Sequence, residues 1–341
     1  MKKRFKYAMN ILIALTFVIG ASTVALGEEF YKRKVVRMIV GYGPGGGPDF
    51  RTRLVARHLG RHLPGRPKVI VQNMPGGGGV VATNYIFNVA KPTGLVLSNV
   101  ARGPFMMQMG KRVGVLFDME KFQWIGSLMR EGNVVFIRSS TPYRNLEDLK
   151  KAKKPLIFGA RSVGATNYLA AKALEMLGVP VKLVVGYGTS KMNLAFEQGE
   201  IEASALGWTS IKTGRPDWIK PGGLARLIVE FGMEPTREIQ VAFGPKLTPI
   251  GGKKQIYSVI NKALGLSQAN LAAPPGTPRD RVDQLRQAYR KMLKDPKFQA
   301  HAAKLNIPLN PLVGGELGRT VQKFYGEVSA STKAQFAELL R

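Results

Sequence analysis

The sequence predicts an α/β protein of two domains, each a mostly parallel sheet flanked by helices. Three observations carry that expectation. Short β-branched apolar runs alternate with segments of helical period along most of the chain. Such alternation is the pattern of parallel sheets covered by helices. The length, 341 residues, exceeds what one hydrophobic core usually holds and suggests two units of ordinary size. Heavy glycine and proline punctuation at 41–48, 75–79, 221–223 and 274–278 then separates the segments.

Taken in order, 35–40 (VVRMIV) reads as a strand, followed by a helix over 49–63 with Phe50, Leu54, Val55 and Leu59 on one face. A strand at 69–72, a helix at 80–89 and a strand at 95–99 complete the first series. The second series places strands at 134–137, 156–159, 181–185, 202–206 and 224–231. Its helices fall at 145–151, 166–177 and 191–198. Near the C-terminus, AAPPGTPRDRVDQLRQAYRKML starts a long amphipathic helix. Thr277 is its expected cap, Pro278 its first residue, and Asp280 lies in its first turn. Val282, Leu285, Ala288, Tyr289 and Met292 recur at helical spacing and mark the packed face.

The chain opens MKKRFKYAMNILIALTFVIGASTVALGEEF, with Lys2, Lys3, Arg4 and Lys6 before an apolar run and small residues at Ala25 and Gly27. This is the pattern of a secretory signal peptide over 1–27, cleaved before Glu28. The run is shorter than the ~20 residues that span hydrocarbon. A periplasmic location is therefore expected. Cysteine is absent, which excludes disulfides and thiolate metal sites.

The formal net charge is +29. Such a field draws anions at long range. Nucleic acid is the first partner that charge suggests, but the basic residues are spread along the whole chain and no nucleic-acid module signature occurs. Nucleic acid is not expected as a partner.

The most informative stretch is VGYGPGGGPDF, five glycines and two prolines straight after the first strand. Gly41, Gly43 and Gly46 satisfy G-x-G-x-x-G. A dinucleotide site also needs an acid about 20 residues on, and no Asp or Glu occurs between Phe50 and Phe117. No Gly-Lys-Ser/Thr follows, so the loop is not a P-loop. What remains is a set of free N–H groups at Gly45, Gly46 and Gly47 against a helix N-terminus, with Pro48 suited to the first helical position. Asp49 orders the loop by accepting N–H bonds. Such a pocket prefers a compact anion.

Beyond the loop itself, VRMIVGYGPGGGPDFRTRLVARHL resembles the N-terminal signature of the tripartite tricarboxylate transporter substrate-binding proteins, the Bug-type receptors, which commonly read V-P-F-P-P-G-G-x-x-D before a helix. VIVQNMPGGGGVVATNYI is similar to their V-x-N-x-P-G-A-G-G, and KPTGLVLSN to P-D-G-Y-T-L. LIFGARSVGATNYLAAKAL resembles G-x-S-G-x-G-S-x-x-H-L. VVGYGTSKMNLAFEQGEIEAS is similar to the following Y-K-G segment, and LAAPPGTP to the return segment. The likeness runs in order over nearly the whole chain after the leader.

The resemblance implies a type II periplasmic-binding-protein fold, a Venus flytrap. Its domains would be 28–132 plus 266–341 and 133–265, joined by two crossing strands. It implies a monomer without metal or cofactor that captures a small organic carboxylate and delivers it to membrane permease subunits; di- and tricarboxylates and aromatic acids are the candidate ligands. The implied binding residues are Tyr42, Gly43, Gly45, Gly46, Gly47 and Asp49 in the first loop. Ser162, Gly164, Ala165, Thr166 and Asn167 belong to the second, and Tyr187 falls on the tyrosine of Y-K-G. Arg102 and Arg161 are candidates for a second anionic group, Trp208 for a wall against the ligand's body. Arg161 stands where a small residue is common and Tyr168 where histidine is frequent, and 203–208 lacks the frequent acid. The distal half of the pocket is therefore not expected to suit an ammonium group.

Other chemistry finds little support. His58 and His62 have zinc spacing, but arginines surround them and no general-base Glu lies between. His301 has no evident partner, no G-x-S-x-G occurs, and an enzyme is not expected. A sensing receptor of the same fold that signals to a membrane kinase, an exported enzyme and a polyanion binder remain the competing readings.

Overall fold

The computed structural model describes residues 30–340, so the expected leader lies outside the described residues. The strands, in chain order, are β1 (Val35–Val40), β2 (Lys68–Asn73), β3 (Val96–Val100), β4 (Gln123–Ser127), β5 (Met129–Arg130), β6 (Asn133–Arg138) and β7 (Leu156–Ala160). They continue with β8 (Val181–Val185), β9 (Ala203–Gly207), β10 (Ala225–Phe231), β11 (Ala242–Phe243), β12 (Ser267–Gln268), β13 (Asn270–Ala273) and β14 (Leu312–Val313). Two six-stranded sheets result, ordered β14-β4-β13-β3-β1-β2 and β11-β10-β6-β9-β7-β8. β5 and β12 pair only with each other, antiparallel, where the chain passes between the two sheets.

Both sheets are mixed, with most strands of each sharing one direction. β1 runs parallel to β2 and β3, and β7 parallel to β8 and β9. β13 is antiparallel to both its neighbours, and so is β6. The reason is topological. β6 and β13 are the strands by which the chain enters a sheet directly from β5 or β12, so no helical crossover sets their direction.

The helices that matter below are α1 (Gly47–Leu59), α2 (Val80–Asn88), α3 (Arg102–Met109), α4 (Leu146–Lys150), α5 (Thr166–Met176), α6 (Thr189–Gln198), α7 (Trp208–Gly214) and α8 (Lys254–Leu264). α9 (Arg279–Lys294), α10 (Pro296–Lys304), α11 (Gly315–Gly326) and α12 (Ala330–Leu339) follow. Three apolar layers hold the frame. One lies between the first sheet and α1, α9 and α10. A second lies between the second sheet and α6 and α7. The largest runs between the sheets through α3, α5, α8 and α12, so the lobes share a core on that side.

α9 buries Val282, Leu285, Ala288, Tyr289 and Met292, the five residues its period marked. Burial of each large side chain contributes about 1.5–3 kcal/mol. Its N-terminus differs from expectation: Pro278 is the cap residue, and the Thr277 hydroxyl donates to the Pro274 carbonyl at 2.8 Å instead. α1 differs too. It buries Arg51, Thr52, Leu54, Val55, Ala56, His58 and Leu59, and leaves Phe50 43% exposed. Leu54, Val55 and Leu59 are thus buried as expected, and the arc extends to Arg51 and His58 rather than to Phe50.

Candidate functional site

β1 is buried along Val36, Met38, Ile39 and Val40 and delivers the glycine loop to the C-terminal edge of its sheet. α1 starts at Gly47, with Gly46 as cap and Pro48 one position later than the sequence suggested. Asp49, 2% exposed, accepts hydrogen bonds from the Gly45 N–H (3.1 Å), Asn73 Nδ2 (2.9 Å) and Arg53 Nε (2.9 Å). Burial alone would raise its pKa. The bonds from Arg53, Asn73 and Gly45 outweigh that and hold it below the ordinary carboxylate value. Asn73 also donates to the Tyr42 carbonyl, which ties the end of β2 to the loop. Because Asp49 takes the Gly45 N–H, that amide is not among the free donors the sequence suggested. The first-turn amides of Gly46 and Gly47 have no intrahelical acceptor.

The second loop, between β7 and α5, repeats this plan. Asn167 is fully buried, and its Oδ1 accepts from the Arg161 N–H (3.3 Å) and the Tyr168 N–H (3.1 Å). Ala165 caps α5, and Thr166 is its first residue. Two helix N-termini thus open toward the gap between the sheets, with their dipoles' positive ends inward.

The lobes meet tightly there. A Cβ on Gly47 would stand 2.4 Å from Ser210 Oγ of the other lobe, and one on Gly78 2.6 Å from Ser162 Oγ. Tyr42 Oη donates to the Gly78 carbonyl at 2.8 Å, and the Arg161 guanidinium lies 4.8 Å from the Tyr42 ring centre. Between them lies a cavity of about 140 Å³, partly open to solvent. Tyr42, Gly45, Gly46, Gly47, Arg102, Arg161 and Thr166 line it.

The remaining sequence candidates stand off this wall. Asp49 and Asn167 brace the two loops from behind. Gly43 is half-buried in the first loop, with no atom within 4 Å of a would-be Cβ. Ser162 and Gly164 lie at lobe contacts, against Gly78 and Met107, and Ala165 is fully buried in the core. Tyr187 packs against the second lobe's outer core. Trp208 is half-buried, and its Nε1 donates to Glu238 at 3.0 Å.

Arg51 was not foreseen. It lines the cavity, 4% exposed, with one long bond from Nη1 to Ser210 Oγ (3.5 Å) and an Nε without a partner. Its place three and four residues before Leu54 and Val55 was the available signal. Glu131, 9% exposed in the crossing segment, was missed as well. Its Oε2 accepts from the Thr209 N–H and hydroxyl, and its Oε1 from Gln268 Nε2. Arg102, 6% exposed, is engaged by the protein: it donates to the carbonyls of Glu131 and Leu264 and to Asn133 Oδ1. Burial lowers the pKa of Arg51 and brings that of Arg102 down to about 10; Glu131 opposes both effects, and the neighbouring arginines add to them.

The histidines lie outside the cavity lining. His58 Nε2 is 3.0 Å from His301 Nδ1, and His62 Nε2 3.1 Å from Asp295. Among the described residues, no cluster of three or more His, Cys, Asp or Glu is placed to hold a metal ion. Nor is any described helix long and apolar enough to cross a membrane.

Two lobes joined by a pair of crossing strands, with a cavity between them, define a two-domain periplasmic-binding-protein fold. Solved structures of that class superpose on it. BugD does so with a TM-score of 0.66 at 20% identity, covering 91% of this chain and 97% of that one. MatC from Rhodopseudomonas palustris, with bound malate, gives 0.69 at 18%, covering 90% and 99%. A second R. palustris protein, with adipate, gives 0.69 at 16%, covering 90% and 97%. A UPF0065 protein from Cupriavidus necator is 24% identical over 310 residues, 85% of this chain and 86% of its own. The model of the tripartite tricarboxylate transporter family receptor matches residues 52–316, and the chain belongs to that family.

Proposed function

We propose that the protein is an exported receptor that captures a small organic carboxylate between its lobes and hands it to a membrane permease. One observation carries the reading: two glycine-loop helix N-termini and four arginines, Arg51, Arg102, Arg161 and Arg215, converge on one cavity between the lobes. A carboxylate there gains about 0.3–1 kcal/mol from each helix dipole, up to ~2 when partly buried. Each charge-assisted hydrogen bond adds roughly 1.5–3 kcal/mol. Desolvation and lobe closure oppose these gains, so a net near −8 kcal/mol, micromolar affinity, is expected. The malate and adipate held by two similar folds support a carboxylate.

In this reading the lobes divide as 28–132 plus 266–341 and 133–265, and move about the β5–β12 pair. The loop residues act through backbone amides, while Asp49 and Asn167 hold those amides in place. The leader at 1–27 directs export to the periplasm. A thermal-shift panel of mono-, di- and tricarboxylates tests the reading, because a ligand that binds only the folded chain raises Tm by mass action. A rise with at least one acid is expected. A flat response across the panel overturns the assignment.

A further inference from the structure

The cavity carries a charge imbalance that bears on what it holds. Arg51 and Arg161 come from opposite lobes, and Arg102 lies beside them. Arg102 has satisfied its hydrogen bonds with neutral acceptors, but its charge stays. Arg51 and Arg161 have not satisfied theirs. The Nε of each is buried and unpartnered, and their other bonds are one long contact to Ser210 Oγ and one to Thr166 Oγ1 at 3.2 Å. Glu131 stands behind this wall, against Gly207, and both its oxygens are already committed to Thr209 and Gln268. Asp49, behind the loop, is matched by Arg53.

Arg51 and Arg102 are buried and Arg161 is half-buried, while Arg215, also in the lining, is paired with Glu197. Three positive charges therefore stand against the one nearby carboxylate, Glu131. An uncompensated charge in such a place is costly. The closed cleft is balanced when its ligand brings two negative charges, and a monoanion leaves one guanidinium stranded.

Building on the carboxylate reading above, we propose that the ligand is a short dicarboxylate and that Arg51 and Arg161, one from each lobe, select it by closing only on a dianion. Size agrees with that choice. The cavity, about 140 Å³ and partly open, favours a compact acid over a bulky one. Arg51 is a specificity residue in this scheme, and Arg102 is the tie that holds the crossing strands to α3.

The test is calorimetry with malonate, succinate, glutarate and adipate, each paired with its monoamide, which keeps shape and removes one charge. The leaderless chain and its R51Q, R51K and R161Q variants are titrated. In the parent, the tightest diacid is expected to bind about 100-fold more strongly than its monoamide, the penalty for leaving a buried charge unpaired. R51Q and R161Q each cut that ratio about tenfold, chiefly by weakening the diacid, and R51K keeps most of it. Small-angle scattering is expected to show compaction with the diacid and none with the monoamide. If R51Q does not melt cooperatively, R161Q and R51K carry the same comparison. A parent ratio near one, or a ratio unchanged in the glutamine variants, overturns the charge-selection proposal and leaves the receptor reading standing. Absence of heat with every acid overturns both.

Discussion

The two loops that face the cavity are built alike and differ in one respect that matters. In each, a strand ends in a glycine-bearing loop, a helix begins, and a side chain in the helix's first turn reaches back to accept a loop N–H. Asp49 does this for Gly45, and Asn167 for Arg161. The first loop uses a charged brace and must match it: Arg53, 46% exposed in its side chain, sits against the carboxylate at 2.9 Å. The second uses a neutral amide and needs no counter-ion. In the proposed reading, the pairing with Arg53 offsets the repulsion between the Asp49 charge and a bound carboxylate. The neutral brace leaves Arg161 uncompensated at the same cavity. Bracing and charge supply are thus separate tasks, given to different residues in each lobe.

The largest effect that would break this comparison is steric. Gly47→Val drives a side chain into Ser210 Oγ, and overpacking of that kind costs about 1–3 kcal/mol. Titration is expected to show carboxylate affinity falling about 10- to 100-fold with cooperative melting retained. Adding Ser210→Ala should recover part of the loss. No loss in the single variant would remove Gly47 from the lobe contact.

Next in size is Asp49→Ala, which strips the acceptor from three donors, one of them charged. Denaturant unfolding should show about 2–3 kcal/mol less stability. Asn167→Ala removes a neutral acceptor from two backbone amides and should cost about 1–2 kcal/mol. Equal losses in the two variants would erase the distinction between a charged and a neutral brace.

The smallest effect lies away from the cleft. Burial lowers the pKa of His58, with Arg61 and His301 adding to it, and burial and nearby cations lower that of His301. The unfolded chain therefore takes up protons first as pH falls below about 6.5, and stability falls with it. Tm should drop between pH 7 and pH 5, and His301→Gln should reduce that drop. An identical drop in the variant would show that the His58–His301 contact does not govern it.

Much of the frame was legible because local pattern and tertiary packing agree. The run at 35–40 is a strand, buried at Val36, Met38, Ile39 and Val40, and the α9 stripe is the stripe that packs. Asp49's reach back to the loop was legible too, from an acid in the first turn after glycines. Strand direction was not. β6 and β13 run against their neighbours because the chain changes lobes before each, and periodicity carries no record of that. Thr277 looked like a cap, yet its hydroxyl turns to Pro274. Arg51 was legible in principle, since 51, 54, 55 and 58 share a helical face, but an arginine on a buried face reads as a surface residue until something faces it. Glu131 had no local signal at all: its main partner, Thr209, is 78 positions away.

The most direct test of the central claim is a two-dimensional amide NMR titration of the leaderless chain with the tightest carboxylate from the panel. The Gly46 and Gly47 N–H signals of one lobe and the Thr166 and Asn167 signals of the other are expected to shift together, saturating at one equivalent. Calorimetric binding that leaves those four amides unmoved would contradict a carboxylate gripped by the two helix N-termini.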